Sequence, residues 1–363
     1  MDPQQIDNEQ QGIDNNNPDV AQPQPDIRTN REAFDARYRD FVPIRNGAYG
    51  QVYQARDTAV RGTYVALKEF RNSNPYQRQS FIRELRILAR INNNVRVNNH
   101  TVSLLNFHHN EENLSRSYLV LDLMDRTLFE EVRRRRVAQR SLSLNEIRTI
   151  GAQIASGLAF LANLNIVHAD LKPANIMFKD ENSNQLRIID FGVSFESGTV
   201  IDHNIKTGTF CAMEVFLELG PFTNTIDIWS FGCILAYMYT GRDLFASTDD
   251  RAKKIVHQIV RTLGMPPIEM FRIPACYQYF KQMRNGQWKR DIGWCESIFE
   301  PRSRNIRQFL HLNRLQQQAD DPQEYRWLVE LIEEMLVYNV NTRINLARII
   351  NHSFFTGQPA PPQ

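Results

Sequence analysis

His168-Ala169-Asp170-Leu171-Lys172-Pro173-Ala174-Asn175 is the stretch that decides how the rest of the chain reads. Asp170 and Asn175 stand five positions apart in a segment that Pro173 keeps from being helical, because its ring disfavours helical backbone at the residue before it. A carboxylate, an amide and a lysine gathered in one loop suit phosphoryl transfer. Asp170 can accept or orient a hydroxyl proton, Lys172 can neutralise charge on the moving group, and Asn175 can offer magnesium a hard oxygen.

Twenty residues beyond Asp170, Ile188-Ile189-Asp190-Phe191-Gly192 reads as a strand that delivers a second carboxylate to a turn. One Asp and one Asn suffice for magnesium, which keeps waters and substrate phosphates for its other positions. Upstream, residues 46–53 (NGAYGQVY) place Gly47 and Gly50 at the tip of a hairpin, where backbone without Cβ can approach a phosphate. Alone this is an ordinary glycine turn. The next strand carries Val65-Ala66-Leu67-Lys68, and a lysine on an apolar strand is costly unless paired. Glu84, sixteen residues later on a helical pattern over 76–91, is the expected partner. That helix should turn Phe81, Leu85 and Leu88 inward, with Ile82 at the edge of the face.

Composition is that of a globular chain. The 363 residues are 42% hydrophobic and 23% charged, enough for one large bilobal domain or two ordinary ones. A net charge of +2 gives no support for nucleic-acid binding. No apolar run approaches the ~20 residues needed to span a bilayer, and MDPQQIDNEQ is not expected to direct secretion. Cys211, Cys233, Cys276 and Cys295 are widely spaced, as in reduced thiols rather than a disulfide or zinc framework. Residues 1–30 hold twenty Gln, Asn, Asp or Pro and are expected to be disordered, as is the end over 357–363. Between them, β-like runs precede residue 125, and helical patterns follow over 127–139, 144–164, 225–240, 249–263 and 323–337. Arg133 to Arg136 read as a solvated helix face, and His108-His109 as loop residues without enough neighbours for a metal site.

These segments, in this order from about 38 to 356, resemble the eukaryotic protein kinase signature. The resemblance implies an α+β bilobal fold: a small β-rich N-lobe (38–124) with one helix, and a larger, mainly helical C-lobe (125–356). It implies Lys68 and Glu84 as the phosphate-positioning pair, Asp170 as base and Lys172 as phosphate lysine. Asn175 and Asp190 become the magnesium ligands. Val52, Ala66 and Met177 would sandwich an adenine, Leu121 would stand as gatekeeper, and backbone from Asp122 to Met124 would read the adenine edge, with Gly47 and Gly50 over the phosphates. Glu214 would pair with Arg343, and Asp227 would support the catalytic loop from a buried helix. HADLKPANIM, DIWSFGCILAYMYTGRDLF, LGMPP and NHSFF are similar to the CMGC group, closest to the homeodomain-interacting and dual-specificity tyrosine-regulated kinases. An insert over about 266–322 then follows. The implied activity is transfer of the γ-phosphoryl of Mg-ATP to Ser or Thr of protein substrates. The implied molecule is a monomer of the cytoplasm or nucleus, without nucleic acid or membrane as partner.

Several positions depart from that pattern. Arg45 stands at the first loop glycine and is expected to weaken nucleotide binding. Ala169 replaces the arginine that grips an activation-segment phosphate, so control through that grip is not expected. Residues 193–211 contain no tyrosine. Cys211 and Met213 replace an arginine and a proline, which removes the basis for expecting Ser/Thr-Pro specificity. Either Thr207 or Thr209 could be the threonine facing the catalytic Asp. Taken together the departures motivate an alternative, a pseudokinase scaffold. A small-molecule phosphotransferase of related fold is disfavoured by Glu214, Asp227 and Arg343.

Overall fold

The computed structural model describes residues 31–47, 50–71, 74–94, 100–109, 116–181, 183–200, 208–246, 252–271, 274–282, 287–290, 305–315 and 320–359. Of the segments expected to be disordered, 1–30 and the last four residues of 357–363 lie outside these residues, as does Thr207.

The chain opens with a short helix, α1 (Arg31–Arg37), followed by β1 (Tyr38–Gly47), β2 (Gly50–Asp57) and β3 (Thr63–Arg71). Helix α2 (Pro75–Asn92) comes next, then β4 (Leu104–His108) and β5 (Arg116–Asp122). The five strands form one antiparallel sheet in the order β1-β2-β3-β5-β4. Pro75 opens α2 where its missing N–H has no partner to lose, and the Asn74 side chain caps Tyr76 and Gln77. The helix buries Phe81, Leu85 and Leu88 together, with Ile82 half-buried, as the 3.6-residue period requires.

Helix α1 was not visible as a periodic pattern, because Phe34 is its one buried residue. Phe34 packs on Tyr38, His108 and Tyr118, and with Ala55, Val65, Leu67 and Val120 it forms a small core on the sheet face opposite α2.

Beyond residue 125 the fold is mainly helical. Helices α3 (Leu128–Val137) and α4 (Leu144–Asn163) each begin with a reciprocal capping box, Thr127 with Glu130 and Ser143 with Glu146. Short strands follow: β6 (Ile166–Val167), β7 (Ile176–Phe178), β8 (Leu186–Ile188) and β9 (Phe195–Glu196), with β6 paired to β9 and β7 to β8. Then come α5 (Met213–Phe216), α6 (Thr225–Thr240) and α7 (Ala252–Leu263). Strands β10 (Phe280–Gln282) and β11 (Trp288–Arg290) pair as a hairpin. Four helices end the fold: α8 (Ile306–Asn313), α9 (Pro322–Met335), α10 (Leu346–Ile350) and α11 (Ser353–Thr356).

Helix α6 is buried from Ile226 to Thr240, which is why its sequence is apolar on every side. It is the post around which α4, α8 and α9 pack. A five-stranded sheet over a helical base is the bilobal α+β organisation that the sequence implies. No helix among the described residues is long and apolar enough to cross a membrane. The three described cysteines, Cys211, Cys233 and Cys276, are buried, and they form no disulfide among the described residues.

Candidate active site

A cleft of about 290 Å³ lies between sheet and helical base, with Val52, Ala66, Leu121, Met124 and Met177 in its apolar wall and Asp122 beside them. Gly50, Lys68, Glu84, Lys172, Asn175 and Asp190 also line it. So do Arg45, Leu123, Ala174 and Ile189, and two apolar residues the sequence had not singled out, Ile44 and Val102. Gly47 pairs with Gly50 across the hairpin above. Gly50 has φ +138, and a Cβ there would lie 1.8 Å from the Glu69 carbonyl oxygen, so only glycine fits.

At the polar end, Lys68 Nζ donates to Glu84 Oε2 at 2.6 Å and to Asp190 Oδ1 at 2.8 Å. Strand β3, helix α2 and the turn after β8 thus meet at one ammonium. Gly192 permits this, since a Cβ on it would meet Ser80 Oγ on α2 at 2.7 Å. Burial disfavours the Lys68 charge, but the two carboxylates outweigh it and raise its pKa. Burial pushes Glu84 up to about 7, against the pull of Lys68 and with a push from Asp190. Asp190 is also opposed by burial, yet Lys68 holds it below the usual carboxylate range.

The catalytic-loop residues meet one another as closely. Lys172 Nζ donates to Asp170 Oδ2 at 2.7 Å. Asn175 Nδ2 donates to the Asp170 carbonyl at 2.8 Å and to Oδ2 at 3.0 Å. The amide nitrogen of Asn175 is committed to Asp170, so the carbonyl oxygen is the atom left for a cation. Asp190 stands with Asn175 in the lining of the same cleft. Two hard oxygens beside a space for phosphates fit magnesium.

The loop is held from below. Asp227 on α6 accepts from the backbone N–H of His168 at 2.7 Å and of Ala169 at 2.9 Å. His168 Nε2 meets the Ile189 carbonyl at 3.0 Å, and Ser194 Oγ donates to the His168 carbonyl at 2.9 Å. Ala169 (φ +66) and Asp190 (φ +68) both hold the left-handed conformation that residues with a Cβ seldom adopt. Such strain persists only where surrounding bonds over-determine it.

The platform beside the loop is pinned by Arg343. Its guanidinium donates to both oxygens of Glu214, at 2.6 and 3.0 Å, and to the carbonyls of Thr225 and Val337, above the ring of Trp229. Thr209 does not face Asp170: its hydroxyl donates to Asp243 Oδ2 at 2.8 Å, which no sequence spacing suggested.

This is the arrangement of a phosphotransferase fold of one kind. The chain belongs to the protein kinase domain family. The family matches residues 38–355, nearly the whole of the described fold. The kinase domain is 33% identical over 250 residues to mitogen-activated protein kinase p38a of Drosophila melanogaster, covering 65% of this chain and 62% of the fly protein. The match therefore spans less than two thirds of that relative. The domain is also 28% identical over 336 residues to mitogen-activated protein kinase 12 of Mus musculus, covering 90% of this chain and 80% of the mouse protein. Both relatives are mitogen-activated protein kinases by name, with which the resemblance of this chain to CMGC kinases is consistent.

Proposed function

We propose that this protein transfers the γ-phosphoryl group of Mg-ATP to Ser or Thr hydroxyls of protein substrates. The observation that carries the reading is that Lys68, Glu84, Lys172, Asn175 and Asp190 line one cleft, with Lys68 bonded to Glu84 and Asp190, and with Asp170 bonded to the lining residues Lys172 and Asn175.

In this reading the adenine lies between Val52 and Ala66 above and Met177 below, past Leu121, with its edge on the backbone of Asp122 to Met124. Lys68, fixed by Glu84, meets the α- and β-phosphate oxygens. The substrate oxygen forms the new bond to γ-phosphorus as the bridge to the β-phosphate breaks, and Asp170 takes the hydroxyl proton. Lys172, beside Asp170, neutralises charge on the transferred group. Asn175 and Asp190 would hold magnesium, which supplies further charge neutralisation on the phosphates.

The test is labelled γ-phosphate transfer to a protein mixture by wild type and Asp170→Asn, with phosphoamino-acid analysis. Label on Ser or Thr that falls at least ~100-fold in the variant supports the assignment. Equal transfer by both proteins sinks the role of Asp170. No transfer by either, with both folded, favours a pseudokinase scaffold.

A further inference from the structure

A second, larger cleft of about 840 Å³ lies outside the nucleotide site, between α2 and the segment around β9. One face of α2 supplies Arg78, Arg83 and Arg86 to it, with Ile82 and Ile87 between them, and Phe195 stands opposite. Arg78 and Arg86 are exposed and make no ion pair among the described residues. Arg83 donates to the Gly192 carbonyl at 3.1 Å, which fixes its head at the floor. Glu196, the acid in the lining, is already paired with Arg90 at 2.6 Å. Mixed arginine and aliphatic surface of this kind fits an acidic peptide with aliphatic side chains.

Such a peptide is part of this chain. Residues 1–30 carry six acids against one arginine, and their four branched aliphatic residues recur every seventh position: Ile6, Ile13, Val20 and Ile27. Each adjoins an aspartate, as Ile6-Asp7, Ile13-Asp14, Asp19-Val20 and Asp26-Ile27. The segment ends where α1 begins. Phe34 of α1 packs on His108 at 5.1 Å, and the adjacent His109 packs on Phe81 of α2 at 4.9 Å, so the two helices cover opposite faces of the sheet at one edge. The path around that edge is two packed layers, roughly 20–30 Å. A thirty-residue polar chain has an r.m.s. span of about 30 Å, and tethering at that length gives a local concentration near the millimolar range. A weak peptide contact is then enough.

We infer that the acidic segment 1–30 docks in the arginine cleft of α2. Seated there, it clamps the helix that brings Glu84 to Lys68.

Hydrogen exchange of α2 amides in the full-length chain tests this without reference to activity. Four proteins are compared at 25 mM and 500 mM salt: wild type, a tail with its six acids changed to Asn or Gln, Arg78→Glu/Arg86→Glu, and that charge reversal combined with the six acids changed to Lys. Exchange in wild type at low salt should be about 3- to 10-fold slower than in either single-sided variant. High salt should erase the difference, and the doubly reversed protein should recover protection. Equal exchange in wild type and the neutralised tail at low salt would overturn the inference. Protection that survives tail neutralisation and disappears on phosphatase treatment would also overturn it, assigning the cleft to a phosphate on the segment near Ser197 and Thr199.

Discussion

Asp227→Asn separates holding the catalytic loop from holding the fold. In wild type both carboxylate oxygens accept backbone N–H groups, from His168 at 2.7 Å and Ala169 at 2.9 Å. Asparagine keeps one acceptor and turns an NH₂ toward the other donor, leaving one buried N–H unsatisfied at a cost of ~1–3 kcal/mol. Burial raises the pKa of Asp227, so replacing it with a neutral group returns part of that cost. The net loss of stability should be about 1–2 kcal/mol, a fall in Tm of a few degrees for a domain of this size. The loop suffers more. Ala169 sits at φ +66, and the bond to Asp227 is among the few that hold it there. Relaxation shifts Asp170, the next residue, and a displacement near 1 Å costs on the order of 100-fold in rate. Calorimetry and kcat measured on the same preparation, with amide exchange of residues 166–172, read the two effects apart. Asp227→Asn with full activity and unchanged exchange in the loop would refute the reasoning, whatever its Tm.

Two further outcomes follow from buried charges. Arg343→Met should cost ~3–5 kcal/mol in urea unfolding, because it strands Glu214 in a site where the arginine is itself fully buried. Adding Glu214→Leu should recover part of that loss, whereas additive costs would show that the two groups are not coupled. Acidification through about 7 should protonate Glu84, loosen its hold on Lys68 and lower kcat/KM, an inflection that Glu84→Gln removes. Stability runs the other way for this group. Its folded pKa exceeds the ordinary 4.5, so its contribution is complete below 4.5 and is lost as pH rises through about 7.

The parts of the molecule legible in sequence are those where chemistry or period repeats locally. The loop 168–175 could be read because each residue type there has few other uses in that order, and α6 because complete burial leaves a mostly apolar run, with Asp227 its one charge, bounded by Asn224 and Gly241. What escaped is made by contacts distant in sequence or by elements too short for a period. Helix α1 shows one buried side chain in seven residues, and α10 and α11 are single turns. Thr209 finds Asp243 thirty-four residues away. The arginine run of α3 was read as a solvated face, and Arg133 and Arg134 are exposed as that reading expects, but Arg135 and Arg136 are half-buried and the run is tied into a network. Arg134 and Arg135 bind Glu131, and Arg136 donates to the carbonyls of Thr240 and Gly241. Burial opposes ionisation of Glu131, but the arginines hold it down to about 2.

Arg45 shows how a departure from the family pattern can be reused. Read in sequence, a side chain in place of the first loop glycine crowds the nucleotide. In the structure its guanidinium reaches out to Glu130 Oε1 at 3.1 Å, eighty-five residues away, and joins β1 to the first turn of α3 across the mouth of the cleft. Both side chains are about half exposed, so the pair contributes no more than ~0.2–1 kcal/mol, and salt screens it. That energy corresponds to about a 1.5- to 5-fold change in a dissociation rate if the pair must part before nucleotide leaves. Glu130→Gln isolates the effect, since glutamine at the third helical position still completes the capping box with Thr127. Stopped-flow release of a fluorescent nucleotide should be faster from the variant by that factor at low salt and equal to wild type at 0.5 M. Equal rates at low salt would mean that the lobes part without breaking this contact, and that Arg45 acts on the nucleotide through its bulk alone.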